Sequence, residues 1–176
     1  MYKLISILFL VFCSPPSENQ LVWDAEYRLS WSDFRGEPQD DMDAVAITAS
    51  GLSSSFSART TTTDLVDYRS IVIAHFYPDK SWYKQGMVND IVLAHEQLHF
   101  DITELNARKL RKRIAESNFS INIKSEMNRL VDQANEDLET MQEMYDSQSN
   151  YSMDVESQKK WQLYVMDELK RLSNYK

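Results

Sequence analysis

Cysteine is nearly absent. Cys13 is the only one in 176 residues, which excludes an internal disulfide framework. Glycine (3) and proline (4) are scarce. A turn-rich all-β sandwich needs more of both, so long helices are expected instead. Basic charge is in deficit: 19 Lys and Arg against 27 Asp and Glu leave a formal charge of −8 and a pI near 4.9. That balance argues against a nucleic-acid partner, because phosphate contact needs a basic face. The short cluster Lys109–Arg113 reads as one solvated helix face. Long apolar runs are also missing, apart from Leu4–Phe12 near the start. That run is too short to span a bilayer as a helix.

What is present fits one domain with its own core. The chain is 43% hydrophobic and 11% aromatic, too apolar for a disordered segment, and its length suits a single domain. Residues 1–13 read as an export signal, with Lys3 as its positive start and the apolar run as its core. Cys13 at the end of that run suggests lipid attachment, although Phe12 is bulky where small residues usually precede such a site. Ordinary cleavage nearby is the alternative. The expected location is therefore outside the cytoplasm: periplasmic, lipid-anchored in the cell envelope, or secreted. Residues 14–20, polar with two prolines, form a tether to a single domain over 21–176.

The domain changes period along its length. Leu29–Phe34 alternates like a strand before a turn at Arg35–Pro38. Residues 44–58 suit one or two strands, 60–64 a hairpin tip, and Tyr68–Tyr77 is the clearest strand. From Asn89 to Ser117 there is no Gly or Pro, and Leu93, Leu98, Ile102, Leu105, Leu110 and Ile114 recur at helical spacing. Further helices fit Lys124–Tyr145 and Val155–Leu172, with a loop over 146–154. The expected fold class is α+β: a small N-terminal antiparallel sheet followed by three helices.

The sharpest chemical signal is His95-Glu96-Gln97-Leu98-His99, inside the first long helix. Residues four apart fall within about 40° of each other on one helix face, one turn apart. Two imidazoles so placed can share one Zn²⁺. Glu96 points about 100° away from His95 around the helix, where it reaches a metal-bound water without being a ligand. That carboxylate acts as general base on water whose pKa the metal lowers. Two of only three histidines in the chain form this motif.

A zinc site needs a third protein ligand. In the compact form of the motif, Gly and His follow the second His by three and six residues. Those positions are Ile102 and Leu105 here, so that variant is excluded. Glu104 lies about 140° around the helix from His99, and Asn106 roughly 10 Å along its axis. The third ligand is expected from another element: Glu136, Glu139 or Glu143 in the second helix, Tyr151 in the loop after it, or His75 on the strand. Asp101 is a candidate to orient a ligand imidazole or a helix-surface acid.

The run Leu93–Leu105 followed by Ala107–Arg111 resembles the bacterial domain-of-unknown-function family 922. So do Leu29–Gly36, Phe76–Trp82, and Tyr145-Asp146 with Gln158 and Trp161. That family is regarded as secreted zinc peptidases of the zincin type. The resemblance implies a zincin-like three-helix region, a zinc cofactor, a peptide or protein substrate, and hydrolysis driven by Glu96 with His95 and His99 as ligands. In the family pattern Tyr-Asp is followed by a Thr and, two residues later, a His suited to be the third ligand. Here those positions are Ser149 and Tyr151. Three outcomes follow. Tyr151 ligates as a phenolate, a carboxylate substitutes, or the site is degraded and the chain is a cell-envelope binding or scaffold protein that has kept the fold.

Overall fold

The computed structural model describes residues 20–39, 41 and 43–176. The export signal, Cys13 and residues 14–19 of the tether lie outside the described residues. Among the described residues five strands precede three helices: β1 (Leu21–Val22), β2 (Ala46–Ile47), β3 (Ser50–Thr60), β4 (Leu65–Phe76), β5 (Trp82–Tyr83), α1 (Asp90–Glu116), α2 (Ile123–Ser149) and α3 (Val155–Arg171). β1, β4 and β3 form one antiparallel sheet in that order, and β2 pairs antiparallel with β5 in a second, two-stranded sheet. The fold class is α+β, as the sequence pattern implies. No helix among the described residues is long and apolar enough to cross a membrane.

β3 and β4 form a hairpin whose tip lies at 61–64, closed by Thr61 N–H donating to Asp64 O at 2.8 Å. Alternation along β4 separates two faces. Val72, Ala74 and Phe76 are buried, while Ile71 is exposed. The buried face packs on Phe100, Ala107, Leu110 and Ile114 of α1, with Phe34 and Leu29 closing its end. A second core lies across α1, where Leu98, Ile102 and Leu105 meet Leu138, Met141 and Tyr145 of α2 and Val165 and Leu172 at α3. Helix α1 is thus sandwiched between sheet and helices, and an unbroken run from Ile102 to Arg108 is buried.

Two elements differ from the sequence pattern. Residues Trp31–Asp33 form a 3-10 turn, not a strand. The Asp33 carboxylate accepts from Ser30 N–H at 2.7 Å and from Ser30 Oγ at 2.9 Å, so local side-chain bonds displace extended pairing. Helix α2 runs one turn past Tyr145, to Ser149. Ser149 Oγ donates to Tyr145 O at 2.7 Å, and Asn150 ends the helix in the left-handed conformation.

The basic cluster on α1 is only partly a solvated face. Glu104, 3% exposed, accepts from Arg108 Nε at 2.8 Å and from Arg111 at 3.0 Å. Arg111 also donates to Val72 O of β4 and Tyr175 O, and Arg108 to Leu169 O of α3. This buried network ties α1 to the sheet, to α3 and to the last residues of the chain.

Candidate metal centre

The start of α1 is fixed by Asn89, whose side-chain oxygen accepts from Ile91 N–H at 2.9 Å and Val92 N–H at 3.1 Å. The helix then presents His95 and His99 on one face, one turn apart. Gln97, inside the motif, points elsewhere: its Oε1 accepts from Leu29 N–H at 2.8 Å and its amide donates to Asp101. Asp101 also accepts from Trp23 Nε1 at 2.7 Å. It therefore anchors the N-terminal segment on α1, and among its hydrogen bonds none reaches a histidine ring. Burial raises its pKa, against the hydrogen bonds from Trp23 and Gln97.

The two imidazoles meet a carboxylate that comes from α2. His95 Nε2 and His99 Nε2 each lie 3.0 Å from Asp146 Oδ1, and 3.1 Å from each other. His95, His99 and Asp146 are the group among the described residues whose ligand atoms converge closely enough to hold a metal ion. Tetrahedral zinc with bonds of about 2.0–2.1 Å sets neighbouring ligand atoms roughly 3.3 Å apart. The observed triangle is close to that spacing, and two imidazole nitrogens with one carboxylate oxygen suit zinc chemically. The residues present therefore fit the ion.

The rings are held from behind by the same helix. Tyr145, fully buried, stacks on His95 with centroids 4.5 Å apart and planes at 26°, and meets His99 edge-on at 5.1 Å. Gln142 Oε1 lies 2.5 Å from His99 Nδ1, and its amide nitrogen donates to His99 O at 2.9 Å. His95 Nδ1, by contrast, is buried with no hydrogen-bond partner.

The charges reinforce one another. Burial would raise the Asp146 pKa, but hydrogen bonds and charge from His95 and His99 outweigh it and hold the carboxyl well below its usual range. Burial would lower His99, yet Asp146, Glu96 and Gln142 leave it raised. Tyr145 is pushed far up by burial and by the nearby Glu96 and Asp146 charges, so it stays a neutral phenol.

His95, His99, Gln142 and Asp146 line a cavity of about 1310 Å³, with Tyr145 buried behind them. Glu96, only 4% exposed, lines it beside the histidines. Glu139 and Glu143 of α2 are exposed and line it as well, whereas Glu136 does not. Residues 43–48, which include β2, line the cavity as well, secured to the motif by Thr48 Oγ1 donating to Glu96 O at 3.1 Å. Tyr151 lines the same cavity at its mouth, 69% exposed, on a turn where Asn150, Tyr151 and Ser152 all have positive φ (46, 52 and 72°). His75 is engaged elsewhere, on the face of β4 away from α1. Its Nε2 bonds Ser53 Oγ at 2.7 Å, its ring stacks on Tyr77, and burial lowers its pKa.

Asp146 is the residue that the sequence pattern does not single out as a ligand. The signal was available in the phase of α2. Leu138, Met141 and Tyr145 form its buried stripe, and Gln142 and Asp146 fall beside that stripe one turn apart. Ending the helix at Tyr145 hides this, because it puts Asp146 in a loop.

No curated protein and no solved structure matches the chain significantly. A family model does match, that of a bacterial protein of unknown function (DUF922), over residues 79–153. The matched stretch contains α1 and α2 entire, hence His95, Glu96, His99, Gln142 and Asp146, and it supports the DUF922 family for this chain.

Proposed function

We propose that the protein is a zinc-dependent hydrolase acting on peptide bonds, with His95, His99 and Asp146 holding the ion and Glu96 as general base. The observation that carries this reading is the triangle of two imidazole nitrogens and one carboxylate oxygen, 3.0–3.1 Å on a side, in a cavity that Glu96 also lines. Zinc held there supplies a Lewis acid that polarises a carbonyl and lowers the pKa of water. Glu96, which lines the same cavity, would act as the general base that takes a proton from water and passes it to the leaving amine. The strand β2, which lines the cavity and pairs with β5 on one edge among the described residues, suits a peptide laid alongside as an added strand. Tyr151 and Met153, exposed at the mouth, would touch the substrate's side chains. The same reading puts the protein outside the cytoplasm, either free after loss of residues 1–13 or, where cleavage falls just before Cys13, held at the membrane by a lipid on that residue.

The test uses purified protein lacking the export signal. About one zinc per chain is expected by elemental analysis, falling at least tenfold in affinity for Asp146→Ala. Cleavage of a peptide library is expected to stop with chelator and with Glu96→Gln, while Glu96→Gln keeps its zinc. Zinc bound with no cleavage of any peptide would favour a cell-envelope binding or scaffold protein. No zinc bound at all would overturn both the cofactor and the reaction.

A further inference from the structure

The two imidazoles of the centre are held differently, and the difference has a chemical consequence. The backbone oxygen His99 O can only accept a hydrogen bond. Gln142 approaches it with its amide nitrogen, at 2.9 Å, and the same nitrogen lies 3.4 Å from Thr103 Oγ1. Thr103 Oγ1 in turn donates to His99 O at 3.0 Å, so the orientation of the Gln142 amide is set by a carbonyl that has no hydrogen to offer. Its oxygen must then face His99 Nδ1, at 2.5 Å. An amide oxygen at that distance requires a hydrogen on Nδ1. When the ring is neutral, its free electron pair is thereby placed on Nε2, which faces His95 Nε2 at 3.1 Å and Asp146 Oδ1 at 3.0 Å; an Nε2–H donated to Asp146 is the arrangement that Gln142 competes against.

We propose that Gln142 is a positioning residue that locks His99 as the Nδ1–H tautomer and so keeps Nε2 ready to ligate a cation. This rests on the zinc reading above for its consequence, but the tautomer itself is a property of the metal-free protein. His95 has no such lock. Its Nδ1 is buried without a partner, stacking on Tyr145 at 4.5 Å fixes only its plane, and the acceptor beside it, Asp146 Oδ1 at 3.0 Å from Nε2, favours a hydrogen on the ligating nitrogen itself. Gln142, Tyr145 and Asp146 thus form one patch on α2 with separate tasks: one selects a tautomer, one fixes a ring plane, and one completes the triangle.

The decisive measurement is the nitrogen NMR spectrum of ¹⁵N-histidine-labelled metal-free protein, at a pH high enough to leave His99 neutral. Wild type is expected to carry its His99 proton on Nδ1. Gln142→Leu removes the acceptor and is expected to move the proton to Nε2, the tautomer a free imidazole prefers. Gln142→Glu keeps an acceptor oxygen and is expected to restore Nδ1–H. Zinc affinity, read by competition with a chromophoric chelator, is expected to fall about 10–100-fold in Gln142→Leu, the usual effect of losing a partner of a ligand histidine, and to recover in Gln142→Glu. A wild-type His99 protonated on Nε2 would overturn the proposal without any variant. So would Gln142→Leu that keeps both the Nδ1 proton and wild-type zinc affinity. A wild type that binds no zinc yet shows the Nδ1–H tautomer would overturn the cofactor reading and leave the lock standing.

Discussion

Asp146 sits where two opposite demands meet. It is half-buried, which costs a carboxylate hydration, and it faces two imidazoles, which return more than burial takes. The metal-free protein should therefore show a pH signature at this residue. A carboxyl held below its unfolded range contributes stability above about pH 4, lost as pH falls through the folded value. His99 is raised, so its contribution is full below about pH 6.5 and is lost as pH rises through its folded value. Both are present together between those limits. The fall in Tm caused by Asp146→Asn, measured by calorimetry with chelator present, is expected to be largest in that window. It should shrink at higher pH, and a deficit that does not vary with pH would contradict the pairing. His75 behaves oppositely. Burial lowers its pKa, so its neutral form contributes stability above about pH 6.5 that is lost on acidification.

At the scale of elements, the buried Glu104–Arg108–Arg111 network is the strongest single dependency. Removing one partner of a buried ion pair strands the others, at about 3–5 kcal/mol. Glu104→Ala would leave two guanidinium groups facing the core, and urea denaturation should register a loss in that range. A loss below about 1 kcal/mol would mean that the carbonyls of Val72, Leu169 and Tyr175 satisfy the arginines by themselves. Sequence pattern located α1 and α3 well, because their caps and lack of breakers are local. It located the β3–β4 hairpin for the same reason. It misread Trp31–Asp33, where a three-residue carboxylate bond outweighs alternation. It also ended α2 too early, because the last turn is polar and is held by Ser149 and Asn150, not by apolar periodicity. His95, Glu96 and His99 were legible from spacing alone. Asp146 and Gln142 were not, since their meaning depends on how α2 lies against α1, which no local pattern states.

Across the whole molecule, the centre joins parts of the chain that are distant in sequence. Its nitrogens come from α1 and its carboxylate from α2, 51 positions after His95, while residues 43–48 line the same cavity. Zinc bound to both helices should therefore stabilise the whole fold and not merely the site. At a free concentration one hundred times its Kd, a ligand that binds only the folded state adds about 2.7 kcal/mol. The midpoint of thermal unfolding should rise with zinc in wild type and stay flat in His99→Ala.

The turn from Asn150 to Ser152 carries a last consequence. Three consecutive residues there wind with positive φ, and each L-residue in that region costs roughly 1–2 kcal/mol, less for Asn. Ser152→Gly should accordingly make the protein harder to unfold, by up to about 1 kcal/mol. For those three positions the natural enantiomer is the ill-fitting one. A D-alanine installed at 152 by chemical ligation would match the winding without glycine's looseness, so the mirror-image building block should yield the sturdier molecule.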